Sequence, residues 1–190
     1  MKIYRELKQD SKTQGYYDNY LDWYKKFNML SHSGYDWACQ TNQPIYFGCD
    51  VDGYVLNTEI DNAGGLGVNI ITESEEGIFK HRYWHLKDFF VKAGDKVTMG
   101  DCIGFSDNTG MSTGTHLHRD MKEMIKNDMG LLSINKYDNG GFGAIPFAGE
   151  KEGDRNWFIN KFVLDMVEPS KKENYLRKVL EGLINKLLRK

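Results

Sequence analysis

Gly67-Val68-Asn69-Ile70-Ile71-Thr72 and Gly77-Ile78-Phe79-Lys80-His81-Arg82-Tyr83-Trp84-His85 decide the fold class. Both runs open on a glycine and are rich in β-branched and aromatic residues, the composition of strands rather than of helices. Pro44-Ile45-Tyr46-Phe47-Gly48-Cys49 repeats the pattern upstream. The turns carry Asp52-Gly53, Gly64-Gly65, Ala93-Gly94-Asp95 and Met99-Gly100-Asp101, residues that accept positive φ or bond their own backbone. From Pro44 to about Arg119 the chain therefore reads as mainly β, with an antiparallel sheet as its core.

Outside that core the character changes. Asn19 to Phe27 suits one short helix, and Asn139-Gly140-Gly141-Phe142-Gly143 suits an irregular end to the sheet. After Pro169, Leu176, Val179, Leu180, Leu183, Ile184, Leu187 and Leu188 recur at three- and four-residue spacing, which predicts a C-terminal amphipathic helix. The expected organisation is one domain over 1–150 and a linker with that helix over 151–190. Seven basic residues of the helix region, from Lys171 to Lys190, outnumber Glu173 and Glu181. Such a helix suits an anionic membrane surface, a partner helix in a homo-oligomer, or the domain's own surface, and the near-heptad spacing of its leucines favours self-association.

A chain of 190 residues with net charge −2 has no global field that would draw it to nucleic acid, and none is expected as a partner. Cys39, Cys49 and Cys102 are odd in number and contain no Cys-x-x-Cys pair, so they read as small hydrophobes rather than as disulfides or zinc thiolates. No stretch approaches the roughly 20 apolar residues needed to span a bilayer.

All five histidines lie between His32 and His118. His116 and His118 are two apart, so on a strand both imidazoles project from one face. A lone His-x-His also arises by chance on a solvent-facing strand. His32 and Asp36 stand four apart with Gly34 between them, and a turn entering a strand brings both to one point. Two imidazoles and one carboxylate are a common catalytic zinc set with one coordination position left open.

Four further stretches then follow in order: Tyr83-Trp84-His85-Leu86, Val91-Lys92-Ala93-Gly94-Asp95-Lys96-Val97, Gly100-Asp101-Cys102-Ile103-Gly104, and Asn108-Thr109-Gly110-Met111-Ser112-Thr113-Gly114-Thr115-His116-Leu117-His118. Upstream stand His32-Ser33-Gly34-Tyr35-Asp36, Gln43-Pro44-Ile45-Tyr46 and Asp52-Gly53-Tyr54-Val55. In order and spacing, over about residues 14 to 150, the chain resembles the lysostaphin-type, LytM-like zinc metallo-endopeptidases. The resemblance implies the lysostaphin-like fold with its lipoyl- or glucose-permease-like hairpins, zinc bound by His32, Asp36 and His118, and catalytic roles for His85 and His116. One of that pair would accept the proton of the reacting water and the other would stabilise the oxyanion; the sequence does not say which does which.

The expected activity is hydrolysis of peptide cross-links in bacterial peptidoglycan, with a catalytically silent wall-binding or virion structural module of the same fold as the alternative. Met1 to Gly15 mix charges and hold no apolar run of the kind a signal peptide needs. The expected setting is therefore the cell wall, reached from a phage virion or after host lysis by a chain that is cytoplasmic until release. His81 reads as a surface residue, and Asp120 as an exposed carboxylate or an acceptor behind His118. Tyr24, Trp37, Tyr83 and Trp84 are candidates for the groove wall or for core packing. Arg119-Asp120-Met121-Lys122 after His118, and Thr115 where proline is common, depart from the family pattern.

Overall fold

The structure is a computed structural model and describes residues 1, 3–7, 11–16, 18, 23–27, 29–136, 143–145 and 163–166. The strands are β1 (Tyr4–Arg5), β2 (Ser11–Gln14), β3 (Tyr35–Ala38), β4 (Pro44–Tyr46), β5 (Gly53–Asp61), β6 (Gly65–Ser74), β7 (Gly77–Phe89), β8 (Lys96–Val97), β9 (Cys102–Ser106), β10 (His116–Lys126), β11 (Leu132–Ile134) and β12 (Val163–Met166). Ten of them form one sheet in the order β2-β3-β10-β7-β6-β5-β8, with β11 on β10 and β9 joining β7 to β4. Its pairings are all antiparallel. The mainly β, antiparallel expectation is met. Among the described residues the helical content is one 3-10 turn, Trp23–Phe27, within the stretch expected to be a short helix. The residues expected to form a C-terminal amphipathic helix lie outside the described residues. Within 151–190, expected as linker and helix, Val163–Met166 is a strand that pairs parallel with β1.

Strand alternation separates two faces. One face buries Val68 and Ile70 of β6, Tyr83 of β7, and Leu117 and Met121 of β10 against Tyr35, Trp37 and Phe47. The other face of β10 carries His116, His118 and Lys122 into a groove. Strand β7 serves both halves of the fold. Up to Trp84 it pairs with β10, and from Leu86 it pairs with β9. His85 is the corner residue, with φ of 63° in the left-handed region.

Two corrections to the sequence reading follow from the core. His81 is fully buried, not on the surface. Its Nδ1 accepts from Arg119 Nη2 at 2.8 Å, so its Nε2 carries the proton and donates to Thr72 Oγ1 at 2.8 Å. Burial, helped by the Arg119 cation, holds its pKa well below the ordinary histidine value, and the ring is neutral. The faces also differ from a simple parity count. His81 and His85 share strand parity, yet the left-handed corner turns His85 into the groove beside Trp84 while His81 stays in the core. Trp37 and Tyr83 are core residues, whereas Tyr24 and Trp84 line the groove.

Arg119, also fully buried, lies directly behind the groove face of β10. Glu6, 3% exposed and just past β1, meets its Nε at 2.6 Å, and the guanidinium sits 5.2 Å from the Tyr83 ring centroid. Taking both charges out of water is costly, so each depends on the other. Glu6→Ala, which strands a buried guanidinium, should lower stability by about 3–5 kcal/mol, read from the urea unfolding midpoint. Glu6 therefore belongs to the folded core although it precedes every motif of the sequence reading.

Candidate active site

His32, Asp36 and His118 converge on the groove floor. His32 lies just before β3; its Nδ1 donates to the Gly15 carbonyl at 2.9 Å, which leaves Nε2 bare and turned inward. That Nε2 stands 3.1 Å from Asp36 Oδ1 and 3.0 Å from His118 Nδ1, and His118 Nδ1 stands 2.9 Å from Asp36 Oδ1. The register that does this is simple. His118 pairs with Asp36 across β3 and with Trp84 across β7. Gly34 makes room for it, because a Cβ there would meet the Arg119 carbonyl at 2.5 Å and His118 Nε2 at 2.9 Å.

Three lone pairs at such spacing repel unless a proton or a metal ion lies among them, and without a metal a proton on His118 Nδ1, bonded to Asp36, takes that place. Tetrahedral zinc with bonds of about 2.0–2.1 Å sets its ligand atoms about 3.3 Å apart, close to the spacing found here. Two imidazole nitrogens and a carboxylate oxygen also match zinc in chemical type. The residues therefore fit the ion.

Asp120 was expected either as an exposed carboxylate or as an acceptor behind His118; it is buried and takes the second position. Its Oδ2 lies 3.4 Å from His118 Nε2, so Nε2 holds the proton and Nδ1 faces the cluster. Arg82 grips the same carboxylate through Nε and Nη2 at 2.6–2.9 Å. Burial would raise the Asp120 pKa, but Arg82 and the His118 bond hold it far below the carboxylate range. Burial opposes charge on His118 too, yet its bonds to Asp120 and Asp36 lift it to about 9 in the absence of a metal ion.

His85 and His116 stand beside the triad with ring centroids 4.4 Å apart. His85 Nδ1 donates to the Thr109 carbonyl at 2.7 Å, and His116 Nδ1 to the Gly114 carbonyl at 2.7 Å with Ser112 Oγ at 3.1 Å. Each ring therefore presents Nε2 as its free nitrogen, and His116 Nε2 lies 3.6 Å from Asp36 Oδ2. Burial, with the neighbouring His118 and His116, pushes the His85 pKa down to about 4. At neutral pH its Nε2 can accept a proton.

The strained corner at His85 is clamped on all sides. Its N–H donates to the Gly64 carbonyl at 2.9 Å and its carbonyl accepts from Asp107 N–H at 3.2 Å. Thr109 completes the clamp, donating from Oγ1 to the Leu86 carbonyl at 2.7 Å and accepting from Leu66 N–H at 3.1 Å. Gly65 and Gly110, at φ of 69° and 78°, press backbone to backbone; a Cβ on Gly110 would meet the Gly65 nitrogen at 2.3 Å. The groove these elements enclose has a volume of about 590 Å³ and is lined at one side by Tyr24 and Met29 and at the other by Trp84 and Met111. Arg82, Thr109 and Ser112 were given no role from sequence; Thr109 and Ser112 lie within the Asn108–His118 stretch that carries the resemblance, and Arg82 lies just before Tyr83-Trp84-His85-Leu86.

Residues 30–129 match the sequence profile of Peptidase family M23, and the chain belongs to that family. It is 32% identical over 120 residues to the glycyl-glycine endopeptidase ALE-1 of Staphylococcus capitis, covering 60% of this chain and 32% of that protein. It is 37% identical over 93 residues to the peptidoglycan DD-endopeptidase ShyA of Vibrio cholerae, covering 49% of this chain and 20% of that protein. The chain thus spans a third or less of the length of these curated relatives. Among solved structures, a zinc-containing peptidase from Vibrio cholerae superposes with TM-score 0.54 at 27% identity, covering 64% of this chain and 36% of that one.

The left-handed φ at His85 yields a test independent of chemistry. Asn tolerates that region and a β-branched residue does not. His85→Val should be less stable than His85→Asn by about 1–2 kcal/mol. Both variants lose the imidazole, so the difference between their urea midpoints isolates the backbone strain; equal midpoints would mean the corner has relaxed.

Proposed function

We propose that this chain is a zinc-dependent endopeptidase that hydrolyses peptide cross-links of bacterial peptidoglycan. The observation that carries the reading is the convergence of five side chains from separate parts of the sequence on one groove floor. His32 Nε2, Asp36 Oδ1 and His118 Nδ1 would hold the ion, and the bare Nε2 atoms of His85 and His116 would flank the reacting groups. Zinc, when bound there, supplies a Lewis acid for the scissile carbonyl and acidifies water at neutral pH.

The chain's own residues do the remaining work. Gly15 and Asp120 fix the tautomers of His32 and His118, so each turns a lone pair rather than a proton toward the centre. The Thr109 and Gly114 carbonyls do the same for His85 and His116. A water between that pair can pass its proton to one Nε2, and the protonated ring can then return it to the leaving amine. The other ring stabilises the tetrahedral oxyanion by hydrogen bonding. The half-apolar walls of Tyr24, Met29, Trp84 and Met111 suit an extended peptide held without a deep side-chain pocket. Retention of all five side chains argues against the silent-module alternative, since a module that only binds has no use for the His85–His116 pair.

The relatives named for glycyl-glycine and for DD bonds mark two cross-link types to try. Mass spectrometry of fragments released from walls of each type would identify the bond; no released peptide from any wall would sink the reading. Purified chain should hold one zinc, and alanine at His32, Asp36 or His118 should abolish that, as read by metal analysis. Full occupancy in His118→Ala would refute the ligand assignment. His85→Ala and His116→Ala should keep zinc yet lose about a hundredfold or more in turnover. Rates within a few-fold of wild type for both would remove them from the mechanism.

A further inference from the structure

Strand β2 runs antiparallel to β3, and its register breaks where it reaches the triad. Ser11 faces Ala38 and Lys12 faces Trp37, but Asp36 is then faced by Gln14, with Thr13 as the extra residue. In an unbroken ladder Gln14 would stand opposite Tyr35, a core residue, and alternation would point its side chain away from the groove. The bulge re-aims it. Gln14 lines the groove and completes a cross-strand row with Asp36, His118 and Trp84.

The backbone around Gln14 is fixed on both sides. Thr13 Oγ1 donates to the Asp36 carbonyl at 3.3 Å, and Gly15 N–H donates to Asp18 Oδ2 at 2.8 Å. The Gly15 carbonyl is the acceptor that holds His32. Against this fixed frame the Gln14 side chain is half-buried, and its Nε2 is buried with no hydrogen-bond partner in the protein. Buried donors are nearly always paired, and an unpaired one costs stability. An apolar side chain of similar size would fill the same place without that cost, so packing does not account for a glutamine here. The torsion that carries a glutamine amide is broad. Since Nε2 has no bond to give up, a turn of the amide brings it to the groove surface at little cost.

We propose that Gln14 is a substrate-binding residue whose Nε2 donates to a backbone carbonyl of the bound peptide, next to the scissile one. This rests on the endopeptidase reading and on the triad as the place of the bond cut. In the sheet order β2-β3-β10-β7, the strands of Asp36 and His118 lie between Gln14 and His85. The two residues thus approach the triad from opposite sides, about three strand spacings or roughly 14 Å apart at Cα. Successive carbonyls of an extended chain point to opposite edges. With the scissile oxygen turned toward the His85–His116 pair, the carbonyls before and after it turn toward Gln14. The bond is to backbone, so it aligns the peptide without choosing among side chains.

The probe is a set of muropeptide dimers released by a muramidase from walls with glycyl-glycine and with DD cross-links. Each is given to the full chain, to Gln14→Leu and to Gln14→Met, which keep the bulk of the side chain and remove the donor. Chromatography follows kcat/KM, the urea midpoint follows stability, and metal analysis follows zinc. Both variants should lose about tenfold in kcat/KM, the scale of one hydrogen bond left unmade. Their zinc content should match wild type, and their midpoints should be equal or higher, because an unpaired buried donor has been replaced by an apolar group. A glutamine kept for structure would give the reverse pairing. Once the bond cut is located, the peptide is resynthesised with the carbonyl before or after the scissile one replaced by methylene. One of these should lose about tenfold with wild type and nothing further with Gln14→Met; fully additive losses would overturn the contact. Unchanged kcat/KM in both variants, or losses that follow a lower midpoint or lost zinc in both, would also overturn it while leaving the endopeptidase reading intact. Failure of wild type to cleave any dimer removes that reading, and the role of Gln14 falls with it.

Discussion

The antiparallel pairing of β10 with β3 on one edge and β7 on the other is the constraint on which the rest depends. It sets His118 opposite Asp36 and opposite Trp84 in a single step. A slip of one residue would send every groove side chain of β10 into the core and every core side chain into the groove. That slip is blocked by what alternates along the strand. Leu117 and Met121 would lose their packing in the core, and His116 and His118 would enter it without their bonds to Gly114 and Asp36. Register, and with it the geometry of the candidate metal centre, is thus enforced by the hydrophobic effect acting on residues that take no part in the chemistry.

Buried charge adds a second lock at the same strand. Arg119 on the core face is tied to Glu6, and Asp120 on the groove face to Arg82. Consecutive residues of β10 therefore carry opposite charges toward opposite faces, and each finds its partner only in the native register. Either pair left open would cost more than the pair contributes when closed. Such pairs are weak sources of net stability and strong sources of uniqueness, which is the property a site with side chains at 2.9–3.1 Å separations needs.

How much of this was legible in the sequence depended on range. Alternation and glycine turns predicted the antiparallel sheet because both are local, and His116-x-His118 was readable as one face for the same reason. The grouping of His32 with His118, 86 positions apart, came from resemblance to a family rather than from periodicity. His81 was misjudged as surface, and Asp120 was left between exposure and a place behind His118, by the same route. A charged or titratable side chain reads as exposed unless its partner is known, and Arg119 and Arg82 are partners only through cross-strand contacts. The left-handed corner at His85 was hidden for another reason: nothing in Tyr83-Trp84-His85-Leu86 favours positive φ, and the clamp of Gly64, Asp107 and Thr109 imposes it from outside.

The contact between Gly65 and Gly110 has a mechanical meaning. With no side chain on either residue and no space for one, the β5–β6 turn and the segment after Asn108 have only backbone between them. The hydrogen bond from Met111 N–H to the Ala63 carbonyl bolts the same two segments together, and that from His85 N–H to the Gly64 carbonyl ties the β7 corner to the turn. They form one stiff jaw, and His85 is its hinge pin. Tyr24 and Met29 line the same groove and lie outside these bonds.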